Sequence, residues 1–175
     1  MNKRGSVSGL LYSLVVIIFK LVILLGGFTL TKFGFYYANV VAVFFVIPFL
    51  FLAIYQVREK DFNGIIGGRE AFRVALTVLA VGAIILSAYN YLEFNWKYKD
   101  IAVQYYNSSD YINVLTEQQI KNPDKIKTEN FPAIINEQIT SLSATRSTTA
   151  KLFPYLLIGL TGSFFASMLM KKSSK

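Results

Sequence analysis

The chain has 175 residues, of which 54% are apolar and only 16% charged, and its mean hydropathy is +0.45. Length alone fits one domain, but an ordinary soluble chain is nearer a quarter charged, so the composition points away from water. Cysteine and histidine are both absent, which excludes disulfides, thiol catalysis, Cys/His zinc sites, histidine-ligated haem and every histidine-based triad.

Lipid offers backbone groups no hydrogen-bond partner, so a chain crossing a hydrocarbon core of about 30 Å needs roughly 20 apolar residues in helix. Residues 7–30 form the first such run, broken only by Lys20. The run exceeds the ~7–15 residues of a signal-peptide core, and no small-x-small cleavage site follows it cleanly, so it reads as a retained span. Lys20 sits near its midpoint, ~15 Å from either end at the helical rise. An intramembrane charge is by default a functional-site hypothesis. None of the apolar runs contains Asp or Glu, so the sequence offers Lys20 no internal ion-pair partner. Three readings stay open: it meets an anion from another subunit or a substrate; it lines a watery cleft with Asn39, Thr77, Ser87 or Asn90; or its amine snorkels to a headgroup.

Thr31-Lys32 turns the chain into the second run, residues 33–55, which carries no charge and holds Pro48. The loop after it contains Arg58, Lys60, Arg69 and Arg73 as candidate inner-leaflet anchors. Its Asn63-Gly64 marks a turn, and its glycines neither follow a strand nor have phosphate-loop spacing. The third run covers residues 71–91 and is uncharged once past Arg73.

Residues 92–151 have a soluble composition. Residues 95–107 can extend the third span as an amphipathic helix. Asn107-Ser108-Ser109-Asp110 then breaks it, with Ser109 or Asp110 able to cap the next segment. Thr116-x-x-Gln119 has capping-box spacing and predicts a new helix start. Asn122-Pro123-Asp124 predicts a turn, and Asn130-Phe131-Pro132 a further start with Pro at the first helical position. Tyr105, Tyr106 and Tyr111 either pack this segment onto the spans or form an exposed docking patch. The serines and threonines of 141–149 have no histidine or placed lysine to activate them, and they read as a polar helix or connector.

The fourth run, residues 152–170, is again uncharged. Gly159, Ser163 and Ser167 recur every fourth position, beside Gly162 and Ala166. Such spacing lets backbones approach closely where no hydrophobic effect joins helices, either within one chain or between neighbours. Pro154 should bend this span. Lys171 and Lys172 close the series of candidate anchors.

Charge asymmetry sets the orientation. Both termini and the 58–73 loop together hold nine basic residues against three acids, whereas residues 92–151 hold seven of each. The basic excess of the chain, +8 overall, therefore belongs to topology and not to nucleic acid. Both ends are expected in the cytoplasm, with 92–151 outside. Tyr36, Tyr37, Tyr89, Tyr91, Trp96, Tyr98 and Tyr155 would form the outer aromatic belt, with Tyr12 and Tyr55 near the inner ends.

Arg58-Glu59-Lys60, then Asn63-Gly64-Ile65-Ile66, then Glu70-Ala71-Phe72-Arg73 resemble a bacterial four-span family, found mainly in Bacteroidota, that is classed only as a domain of unknown function. The resemblance covers nearly the whole chain. It implies inner-membrane residence, a short helical segment between the third and fourth spans and a lysine-rich tail. It supplies no activity and no catalytic residue.

The expectation is an all-α integral membrane bundle of four transmembrane helices, forming one domain over residues 1–175 with an extracytoplasmic helical insert at 92–151. Its function is expected to be non-catalytic and cofactor-free. An accessory, scaffold or assembly role fits first, with the lipid bilayer and a protein partner, or a second copy, met through the small-residue faces. The alternative is a small oligomeric carrier or channel with Lys20 on the path.

Overall fold

The computed structural model describes residues 2–123 and 126–171, so Lys172 and the last residue of the Asn122-Pro123-Asp124 turn lie outside the described residues. Asn2 opens helix α1 (Lys3–Leu25): its side chain accepts from the Arg4 and Gly5 amides, two of the donors that a helix start leaves free. The helix stops sooner than the apolar run. Gly27 adopts a left-handed φ of 75°, and the 3₁₀ turn Phe28–Leu30 reverses the chain. Gly34 lets that turn close, since a Cβ there would overlap the Phe28 carbonyl.

Helix α2 (Phe33–Asp61) begins as a π-helical turn, Phe33–Tyr37, and is interrupted at Phe45. The cause is Pro48, which has no N–H to offer the carbonyl four residues back. Asn63 and Gly64, with φ of 48° and 85°, make the turn expected of them. Helix α3 (Gly68–Tyr106) is one continuous rod of 39 residues that passes well beyond the apolar run, with a π-helical turn at Phe94–Tyr98. Two short helices come next, α4 (Ser109–Lys121) and α5 (Phe131–Thr140), and the chain ends in α6 (Ala144–Met170). Pro154 sits inside α6 without ending it.

Helices α1, α2, α3 and α6 form the bundle, with α3 packed against all three others. Val46, Leu50, Ile54 and Val57 of α2 meet Ala71, Ala75 and Val78 of α3 in a core with almost no exposure. The opposite faces are apolar too: Leu10, Leu14, Ile18 and Val22 on α1, and Leu157, Leu160, Phe164 and Leu169 on α6, are all exposed. Helices apolar on every side belong in lipid. The four are long and apolar enough to cross a membrane, and the chain has the build of a multi-pass membrane protein.

The small-residue stripes join helices of this one chain. Gly159 faces the Leu79 side chain and Gly162 faces Leu50, while Ser163, Ala166 and Ser167 are buried. A Cβ on Gly9 would stand 2.8 Å from the Val78 carbonyl oxygen, which marks the close approach of α1 to α3. Two expected belt residues also turn inward. Tyr12 and Tyr155 are 1% and 2% exposed and stack at 5.6 Å, with the Tyr155 hydroxyl donating to the Leu79 carbonyl at 3.0 Å. Tyr36, Tyr37, Tyr91 and Trp96 remain on the surface near one end and Tyr55 near the other.

The short helices α4 and α5 lie between α3 and α6 and cap one end of the bundle. Ser108 caps α4, accepting from the Tyr111 amide. The Thr116 start is therefore wrong: Thr116 is inside the helix and its hydroxyl donates to Ile112. A helix does start at Asn130-Phe131-Pro132, with Asn130 before it and Pro132 as its second residue, one position later than expected. Ser143 caps α6, so the polar 144–149 stretch is the first part of the fourth span's own helix. The cap has its own core of Phe35, Ala102, Tyr105, Tyr111, Leu115 and Phe131, which accounts for the tyrosines as packing.

Candidate functional site

At the capped end, the bundle buries charge. Because α1 stops at Leu25, Lys20 falls in its last turns and not at mid-span. Because α3 runs on through Glu93, that carboxylate reaches the same level. The Lys20 amine donates to Glu93 Oε2 at 2.8 Å and to the Asn90 side-chain carbonyl. The apparent lack of an internal partner for Lys20 is thus corrected: the partner lies two residues past the apolar run, on the buried face of the continuing helix. Lys20 is held inside the protein and does not extend toward a headgroup.

A second lysine arrives from α6. Lys151 Nζ donates to the same Glu93 Oε2 at 3.0 Å and lies 3.8 Å over the Tyr98 ring. The Tyr89 hydroxyl donates to Glu93 Oε1 at 3.0 Å. One carboxylate thus accepts three hydrogen bonds from three side chains. The Lys20 and Lys151 side chains are 10% exposed and Glu93 is 3% exposed. Burying an ion costs several kcal/mol unless it is paired and its lone pairs are filled, and here the carboxylate is well served. The cations outnumber it by one.

Two small cavities of about 20 and 30 Å³ adjoin the cluster, and Lys20, Asn39 and Lys151 line both. Each has room for about a water molecule beside several polar groups. A larger cleft of about 370 Å³ opens next to them, walled by α2 and α6, with the α3 π-turn as its floor and the end of α5 above. Lys151 lines this cleft as well, so the residue that pairs with Glu93 also forms part of its wall. Arg146, one turn and a half earlier on α6, lines it too and has no ion pair among the described residues. Phe35, Val40, Val43 and Pro154 supply an apolar wall.

The cap is tied to the bundle by an exposed strap. Lys32 Nζ donates to Glu117 Oε2 at 2.7 Å, joining the start of α2 to α4. That hydrogen bond raises the lysine pKa and lowers that of the carboxyl. In the cap core, burial pushes the Tyr111 phenol up to about 12.

Of the cleft-lining candidates, Asn90 and Asn39 do gather around Lys20, whereas Thr77 and Ser87 turn back to carbonyls of their own helix. The candidate anchors are at the opposite end: Lys60, Arg69, Arg73 and Lys171 are exposed, and Arg58 pairs with Glu59 at 2.9 Å. Sequence reasoning missed Glu93 and Lys151. The signal was present in the helical spacing of Tyr89, Asn90 and Glu93, which continues the buried stripe of Leu79 and Leu86 if the third helix is carried past its apolar run.

No curated protein and no solved structure matches the chain. The family described as "Protein of unknown function (DUF4199)" matches residues 3–172, and the chain belongs to that family.

Proposed function

We propose that this member of the DUF4199 family is a non-catalytic membrane protein that works by binding an anionic group at the capped end of its bundle. The observation that carries the reading is the position of Lys151, shared between the buried Lys20–Glu93 pair and the open cleft. Two buried ammonium groups share one carboxylate, and the further cation, Arg146, lines the same cleft. An anion seated there would balance the excess charge where the dielectric is low. Among the described residues, the serine and threonine hydroxyls that donate hydrogen bonds give them to backbone carbonyls or to a glutamine side chain and not to a base that could activate them.

The basic excess at the other end supports a cytoplasmic location for both termini and the 58–73 loop, in a bacterial inner membrane. The cleft would then face outward. The carrier reading has less support, because the half of the bundle beyond the cluster is close-packed around Val46, Leu50, Ala53 and Ile54, all 0% exposed. An accessory role remains as a second reading. It rests on the cap, which has its own core and leaves Ile112 and Ile120 exposed at 44% and 76%.

Thermal unfolding of the detergent-purified protein against carboxylates, phosphates and matched neutral compounds tests the main reading. A ligand that binds only the folded state raises the transition in a saturable way. Stabilisation should be confined to anions and be lost in Arg146→Gln. Equal effects of neutral compounds, or an unchanged response in that variant, would end it.

A further inference from the structure

We infer that the occupant of the cleft is an anionic amphiphile taken from the lipid phase, with its phosphate or carboxylate head on Arg146 and Lys151 and its alkyl chain along α2. This inference rests on the anion-binding reading and adds the chemical class and the direction of entry.

The cleft is two-faced. Its charged edge is the first part of α6, where Arg146 and Lys151 are joined by the hydroxyls of Ser143 and Ser147. Its other wall is hydrocarbon: Phe35, Val40, Val43, Leu142 and Pro154. A site for a bare inorganic anion would not need that wall, and a site for a neutral hydrocarbon would not need the cations. Val40 and Tyr36 are lining residues that are also 46% and 40% exposed on the flank of α2. The cleft therefore communicates with the apolar flank of the bundle, where lipid lies. The spans that wall it close together further along, where Gly162 of α6 faces Leu50 of α2, so a chain entering from the side meets a stop.

Size narrows the class. About 370 Å³ is near the lower bound for small-molecule sites. It accommodates a head group and the first part of one alkyl chain, with the remainder left in the bilayer. A two-chain lipid does not fit as a whole. The cation pair also selects against a zwitterionic head, whose ammonium would sit beside Arg146 and Lys151.

The full-length protein in dodecyl maltoside micelles provides the test, with dodecyl phosphate, dodecyl phosphocholine and inorganic phosphate as probes in native mass spectrometry and thermal unfolding. Dodecyl phosphate should bind one to a protein, saturably. Inorganic phosphate and dodecyl phosphocholine should each bind at least about tenfold more weakly, the loss expected when one charge-assisted contact or the alkyl anchor is missing. Arg146→Gln should weaken dodecyl phosphate by a similar factor. Arg146 is exposed, so this variant keeps the fold where a change at Lys151 risks it. Val43→Trp, which fills the hydrocarbon wall, should weaken dodecyl phosphate but not inorganic phosphate. Equal binding of inorganic phosphate and dodecyl phosphate would overturn the amphiphile inference and leave the anion site standing. Equal binding of dodecyl phosphocholine would overturn selection of a net negative head. Binding of neither phosphate would remove both readings.

Discussion

The two ends of this bundle are built on different principles. At the loop end, Val46, Leu50, Ala53, Ile54 and Val57 meet the start of α3 with no exposure and, among the described residues, no buried charge, and the cations Lys60, Arg69 and Arg73 stand exposed on the end turns of the helices. At the capped end, ionised groups are inside, two π-helical turns distort the helices, and a cleft remains open. Dry packing favours small and β-branched residues in close contact, as protein interiors do. An arrangement of buried ions is often no more stable than an apolar substitute. The contrast teaches that the capped end is shaped by something other than stability, and π-turns beside it agree with that.

Removing Glu93 should break the contrast most severely. Glu93→Leu strands Lys20 and Lys151 without a counter-ion, and should cost about 3–5 kcal/mol of folding stability, read by thermal or denaturant unfolding in micelles. Replacing all three together, Lys20→Met with Glu93→Leu and Lys151→Met, should restore most of that loss while abolishing anion binding. At the loop end the corresponding lesion is smaller. Leu50→Ala, at a position with 0% exposure, should cost about 2 kcal/mol or more through the cavity left behind, with no effect on binding at the cleft. Tyr155→Phe removes a single buried hydrogen bond to the Leu79 carbonyl and should cost about 1 kcal/mol.

The smallest effect belongs to the Lys32–Glu117 strap. The Glu117 pKa is lowered in the fold, so its contribution is present above the ordinary glutamate pKa of about 4.3 and fades as pH falls. The Lys32 pKa is raised, so its contribution is present below the ordinary lysine pKa of about 10.4 and fades as pH rises through the raised value. The strap should therefore hold from roughly pH 5 to 10, and proteolysis of the cap should quicken on either side. Both groups are exposed, so salt should weaken the strap as well. Glu117→Gln should flatten the acid limb and leave the bundle unaffected.

Much of this architecture was legible in the sequence, and for physical reasons. Uncharged runs of span length leave few alternatives to helices in lipid, and the fourfold spacing of Gly159, Ser163 and Ser167 announced a close helix contact. What stayed hidden depended on where helices end. Apolar character does not register that Gly27 closes α1 just after Leu25, nor that α3 ignores the change to polar residues at Glu93. Those two boundaries decide whether Lys20 has a partner. Lys151 was equally obscure, because its helix begins at Ala144 in polar sequence before the apolar run starts. Pairings between residues 20, 93 and 151 are tertiary facts with no local signature.

The chain has no cysteine, so single-cysteine labelling reports directly on the difference between the ends. Asn39→Cys places a thiol on the cleft and Ala53→Cys places one at a position with 0% exposure in the closed half. With a small water-soluble maleimide applied to the intact protein in micelles, the position-39 thiol should react readily, and dodecyl phosphate should protect it. The position-53 thiol should stay unlabelled under either condition. Equal labelling at the two positions, or no protection at 39, would contradict the assignment of the capped end as the open, anion-binding end.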